Sequence, residues 1–186
     1  VGFENYYSVP AGKKATEGRW LPGPGKALFE RAAEVFGPLP VIAEDLGTIT
    51  PAIRGLVAQC GFPGMDVLEF ADADLRGGYA PTPGKVAYTS THDTDTLLGF
   101  VRSAYGIADD NEALTVAERI MADALRSDTR VVMMPLQDVM GLGTEARMNV
   151  PGQAEGNWRW QADAEGLASA EPLLRLLTEE SGRSPR

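Results

Sequence analysis

Four short apolar runs in this chain each end in acidic or amide side chains, and that recurrence limits the fold more than any other feature. The run at 41–43 passes directly into Glu44 and Asp45, and the run at 66–71 into Asp72 and Asp74. The run at 86–88 leads to His92, Asp93 and Asp95, and the run at 131–136 ends at Gln137 and Asp138. The first is too short for a helix and apolar on both faces, as a parallel strand covered from both sides requires. Helical periodicity fills much of the space between and beyond the runs. Residues 26–36 carry Leu28, Ala32, Val35 and Phe36 at helical spacing before Gly37 and Pro38 stop them. Thr50 and Pro51 open a second helix with Ile53, Leu56, Val57 and Cys60 on one stripe and Gly61 at its end. A third follows Asp95, its expected N-cap. A fourth spans about 111–126 with Leu114, Ala117, Ile120, Met121 and Leu125 as its core face, and a last one covers 171–181.

Alternation of this kind predicts an α/β fold in which crossover helices join parallel strands and the polar strand ends share one face. In such sheets, and above all in barrels, residues just past the C-terminal ends of strands line the place where chemistry occurs. A (β/α)8 barrel takes eight units and roughly 250 residues. The 186 residues here hold four, which predicts half of one. Residues 2–25 read as a long connection bearing Tyr6, Tyr7 and Trp20, and the loop after Asp138 bears Trp158 and Trp160. Loop aromatics either stack on sugar rings or form small satellite cores, and an extended segment would put Trp158 and Trp160 on one face.

Charge and residue inventory narrow the chemistry. A net charge of −9 argues against nucleic acid or an anionic membrane as partner and suits a neutral, hydroxyl-rich ligand. One cysteine, Cys60, permits no internal disulfide, and no apolar run approaches the roughly 18 residues of a membrane span, so a cytoplasmic setting is expected. The sequence opens on Val1 with no signal segment and reads as though it begins mid-protein. A single histidine excludes multi-histidine zinc or iron sites. Convergent carboxylates then leave two chemistries: a magnesium site built from Glu44, Asp93 and Asp138, or acid and nucleophile work on a glycosidic bond. The second is favoured, since a carboxyl group at a barrel mouth can be kept protonated by burial and a neighbouring negative charge. His92, polar-flanked and beside an acid, can donate a hydrogen bond to a ligand hydroxyl. Strand alternation lets only one of Glu44 and Asp45 point straight inward, and pattern alone leaves open which.

The stretches AEDLG (43–47), FPGMDVLEFA (62–71), STHDTDT (90–96), RMNVPGQAEGNWRW (147–160) and GRWLPGPGKALFE (18–30) carry a more specific signal. Together they resemble the glycoside hydrolase family of 4-alpha-glucanotransferases, called amylomaltase or disproportionating enzyme. The resemblance implies an alpha-amylase-like (β/α)8 barrel and a retaining enzyme that passes a segment of an alpha-1,4-glucan to the 4-hydroxyl of glucose or another glucan. It implies maltooligosaccharides as substrates, glucose as acceptor, and no metal or organic cofactor. It also implies roles: Glu44 as general acid and base, Asp93 as the third carboxylate favouring the transition state, and His92, Asp45 and Asn149 as substrate-binding residues. The family's nucleophilic aspartate lies in a motif like RIDHFRG, whose position would fall before Val1. The chain is therefore expected to be the C-terminal half of a catalytic barrel, inactive alone. It departs from the family's pattern at Ser90, Thr94, Asp66, Asp72, Gln161 and Glu69, the last standing where a glutamine is usual. Two other functions stay open from sequence: a catalytically incomplete maltooligosaccharide-binding fragment, or an alpha-glucan hydrolase of the same clan.

Overall fold

A computed structural model describes residues 2–72 and 74–183, and the chain divides into two compact units, 1–65 and 66–186. In the first unit, the stretch read as a long connection contains an antiparallel hairpin of β1 (Asn5–Ser8) and β2 (Arg19–Pro22), with Tyr7 opposite Trp20. The long connection between the strands hides this pairing from local pattern. Its support is lateral: Tyr7 and Trp20 meet edge to face at 5.3 Å, and the Tyr7 hydroxyl donates to the Ala15 carbonyl at 2.8 Å.

Helix α1 (Gly25–Phe36) forms as expected. Its stripe does not reach a core: Leu28 and Val35 are exposed and Phe36 is 78% exposed, because no described element of this unit covers that side. Phe29 anchors it instead, edge-on to Phe3 at 5.0 Å and to Phe62 at 5.1 Å. Helix α2 (Pro51–Cys60) follows the sequence closely, with the Thr50 hydroxyl accepting from the Ile53 N–H at 3.3 Å and Gly61 in the left-handed region at φ 67°.

The expected strand at 41–43 is not formed. Among the described residues its cross-segment tie is the Ala43 N–H donating to the Pro63 carbonyl at 2.8 Å. Pro63 has no N–H to return to this segment, and the Met65 N–H that could continue a ladder is taken by the Asp45 carboxylate. The next strand, β3 (Met65–Val67), is shorter than the 66–71 run. A single 3-10 turn over Leu68–Phe70 bends the chain, which drops Leu68 into the core.

In the second unit, β4 (Val86–Tyr88) pairs parallel with β5 (Val132–Met133), and the sheet order is β3-β4-β5. Two helices cross between the parallel strands, α3 (Leu97–Tyr105) and α4 (Asp110–Arg126), so the predicted crossover holds here. The α4 face buries Ala117, Ile120, Met121 and Leu125, with Leu114 half-buried beside them. They pack with Leu68, Leu75, Leu97, Leu98, Val101 and Leu177, each side chain larger than alanine contributing roughly 1.5–3 kcal/mol when fully buried. Strand β5 stops before Pro135, and residues 136–139 wind into a short helix α5 (Leu136–Val139). Gln137 and Asp138 therefore sit in a buried helical turn rather than at an open strand end. The last helix, α6 (Ala164–Glu180), begins well before 171 and carries Pro172 in its interior. Asp163 caps it by accepting from the Gly166 N–H at 2.7 Å. Its early turns pack through Gly166 and Ala170, small residues that leave no apolar periodicity to read. No described helix is long and apolar enough to cross a membrane.

Candidate active site

Glu44 and Asp45 belong to the first unit. Glu44 is exposed. Asp45 is half-buried, and its Oδ1 accepts from the Met65 N–H at 2.7 Å. With the Ala43 to Pro63 bond, this clips both sides of the motif onto residues 63–65. Gly64 makes room for the clip, since a Cβ there would lie 2.4 Å from the Asp45 Oδ2. Gly64→Ala is expected to destabilise the protein by roughly 1–3 kcal/mol, by pushing the carboxylate off its partner. Chemical denaturation checks this, and a midpoint equal to the wild type's would show that the clip yields freely.

The second unit assembles His92, Asp93 and Asn149 from two loops distant in sequence. The turn after β4 presents His92 and Asp93 with both side chains exposed, His92 Nε2 lying 3.4 Å from Asp93 Oδ2. Asn149 docks twice onto this turn: its N–H donates to the His92 carbonyl at 3.0 Å, and its Nδ2 donates to Asp93 Oδ1 at 2.6 Å. The amide thereby fixes the carboxylate's plane while leaving Oδ2 facing the imidazole. Trp158 completes the edge, its ring 5.3 Å from that of His92. It is held with φ at 59°, a left-handed backbone that a tryptophan rarely adopts, and its N–H donates to the Met148 carbonyl at 2.6 Å. That backbone removes the extended geometry in which Trp158 and Trp160 would share a face.

Arg147 is the residue that sequence reasoning passed over. Its Nη2 donates to the Asp93 carbonyl at 2.7 Å and its Nε to the Asn149 carbonyl at 2.8 Å. The only signal for it was its place two residues before Asn149 in the same motif. Beside this group lies a pocket of about 190 Å³, lined by Thr91, His92, Thr94, Gln137, Arg147 and Met148 among others.

Of the other strand-end acids, Asp95, Asp74 and Asp138 make contacts within the scaffold. Asp95 does not cap α3; Thr96 does, accepting from the Gly99 N–H. Asp95 instead accepts from the Thr96 N–H and the Thr144 hydroxyl, both at 2.8 Å. Asp74 is held by Arg76 in an ion pair at 2.7 Å, and Asp72 is exposed. Asp138 is 2% exposed and accepts three hydrogen bonds, from Thr89 Oγ1 at 2.6 Å, Ser90 Oγ at 2.7 Å and the Leu97 N–H at 2.8 Å. Burial pushes its pKa up against those three bonds. Both oxygens are engaged, which removes it from the magnesium alternative. Among the described residues no cluster of three metal-ligating side chains occurs. Glu69 lies near Thr94, Asp95 and Asp138. Desolvation first, then the negative charges of Asp138 and Asp95, push its pKa up to about 8 against a hydrogen bond from Thr94. Its Oε1 is buried with no hydrogen-bond partner.

Comparison with known proteins gives a consistent result. The family described as 4-alpha-glucanotransferase matches residues 1–165. The 4-alpha-glucanotransferase of Thermus thermophilus is 42% identical over 181 residues, covering 86% of this chain and 36% of the relative. That of Synechocystis is 38% identical over 200 residues, covering 98% of this chain and 39% of the relative. The solved amylomaltase from Streptococcus agalactiae in complex with acarbose superposes with a TM-score of 0.78 at 28% identity, covering 99% of this chain and 40% of that one. The chain thus spans less than half the length of the relatives it matches.

Proposed function

Because this chain belongs to the 4-alpha-glucanotransferase family, we propose that it supplies the C-terminal half of the catalytic barrel of a retaining enzyme that moves segments of alpha-1,4-glucans between maltooligosaccharides. Glucose or a glucan end is the acceptor. The observation that carries the reading is the Asp93 carboxylate, oriented by the Asn149 amide and flanked by His92 and the Trp158 ring. A carboxylate whose direction is set before a ligand arrives can favour the oxocarbenium-like transition state without reorganising.

In this reading Glu44 protonates the leaving glycosidic oxygen while a nucleophilic carboxylate attacks the anomeric carbon. It then takes the proton from the incoming 4-hydroxyl as that oxygen displaces the nucleophile. The nucleophile comes from the part of the relatives' length that this chain does not match. His92, Asp45 and Asn149 contact sugar hydroxyls, Asp45 doing so with its Oδ1 already on Met65. The chemistry calls for no cofactor, and the acidic surface leaves nucleic acid and membranes aside as partners. A lone cysteine supports a cytoplasmic setting.

The test is a chimera in which this chain replaces the matching portion of the Thermus thermophilus enzyme. Incubated with maltotriose, it is expected to yield glucose together with products longer than maltotriose. Glucose and maltose without longer products would mark a hydrolase. A folded chimera that binds maltotriose and turns nothing over would mark a binding fragment.

A further inference from the structure

We propose that Arg147 is the positioning residue of this site: one guanidinium ties the backbone of the Asp93 turn to the backbone of the Asn149 loop and so holds the sugar-facing side chains in register. This rests on the reading of His92, Asp93 and Asn149 as sugar-binding. The geometry supports it in three ways.

The bonds go to main-chain carbonyls, Asp93 from Nη2 and Asn149 from Nε. A cation in such a place could instead have paired with the Asp93 carboxylate. Here Asp93 Oδ1 takes the Asn149 amide and Oδ2 faces His92, so the charge steadies the turn without neutralising the acid. The fork also has a rigid geometry. Nε and Nη2 lie in one plane at a fixed separation, and two carbonyls held by them keep a fixed spacing, which a lysine ammonium on a flexible stem does not reproduce. Finally, the tie closes a ring: Asn149 already donates its N–H to the His92 carbonyl and its amide to Asp93, and Arg147 adds the bonds on the other side. Without it, Asn149, the Thr144 hydroxyl on Asp95 and the Trp158 ring beside His92 still join the two loops, but none of them holds the Asp93 carbonyl.

Three variants of the full 186-residue chain test this: Arg147→Lys, Arg147→Ala and, as a control, Arg175→Ala, whose exposed ion pair with Glu171 lies on α6. Amide exchange is measured at Asn149 and across α4, and maltotriose affinity by titration. Arg147→Ala is expected to speed exchange of the Asn149 N–H at least tenfold while α4 stays protected, and to weaken maltotriose by about tenfold or more, in line with the loss of charge-assisted hydrogen bonds. Added guanidinium ion should restore part of both in Arg147→Ala, and Arg147→Lys should restore little. Unchanged exchange at Asn149, or recovery with lysine equal to wild type, overturns the proposal. If the wild-type chain itself ignores maltotriose, the sugar-binding reading fails, and the exchange data alone still decide whether Arg147 holds the two loops.

Discussion

Replacing Glu69 with glutamine should stabilise the protein progressively as pH rises from 5 to 8, with the gain constant above that. Folding raises this carboxyl from the ordinary 4.5 to about 8. Below pH 4.5 both folded and unfolded forms carry the proton and the site costs nothing. Between 4.5 and 8 the unfolded chain releases the proton while the folded chain retains it, so stability falls with pH; above 8 both are ionised and the loss is complete. At 1.36 kcal/mol per pKa unit the full loss has an upper bound of about 5 kcal/mol, and relaxation around the half-buried group leaves on the order of 2–3 kcal/mol. Glutamine removes the titration and brings an amide N–H2 to a neighbourhood that already holds Asp138 and Asp95. Thermal unfolding of wild type and Glu69→Gln at pH 5, 7 and 9 checks this. A difference between the two proteins that does not grow with pH would show that Glu69 ionises freely and that its place near the two aspartates is inconsequential.

Glu44→Gln carries the largest expected effect on activity. In the Thermus thermophilus chimera, turnover of maltotriose should drop by several orders of magnitude while its binding changes no more than a few fold. The amide keeps the shape of the acid yet neither protonates the leaving oxygen nor accepts the proton of the incoming hydroxyl. General acid catalysis contributes roughly 10²–10⁴-fold, and in the proposed function one group serves both half-reactions. A variant that keeps more than about a tenth of the wild-type rate would strip Glu44 of the acid and base role and send the search to other acids of the chain. Initial rates of glucose release, with affinity measured separately, distinguish loss of chemistry from loss of binding.

The helices were the legible part of this fold. Thr50, Pro51 and Gly61 bracket α2 and a broad apolar stripe announces α4, because capping and amphipathicity are local and act within a few residues. Strands were less so. A strand exists through its partner, and nothing in Val41, Ile42 and Ala43 reveals that Pro63 stands opposite with no N–H to give. The hairpin of β1 and β2 escaped for the same reason. Within the site, His92, Asp93 and Asn149 were picked out by motif, and the structure brings those three together; their roles, like those of Glu44 and Asp45, belong to the proposal. Acids were harder to sort. Asp95, Asp138 and Asp93 look alike on the page, and burial with hydroxyl donors separates Asp138 from the exposed Asp93. Arg147 was invisible because it acts on backbone carbonyls, which no residue pattern displays.

The left-handed backbone of Trp158 has a consequence for anyone who would improve this protein. Of all residues, glycine fits φ 59° without strain, and a stability-guided redesign would choose it there, with a gain on the order of 1 kcal/mol. The same exchange deletes the ring beside His92. Under the proposed function, folding and ligand binding make opposite demands at this position. A thermostabilised variant carrying glycine at this position would be a tougher scaffold with a blunted edge, so under the proposed function a screen on this chain has to score sugar binding alongside melting temperature.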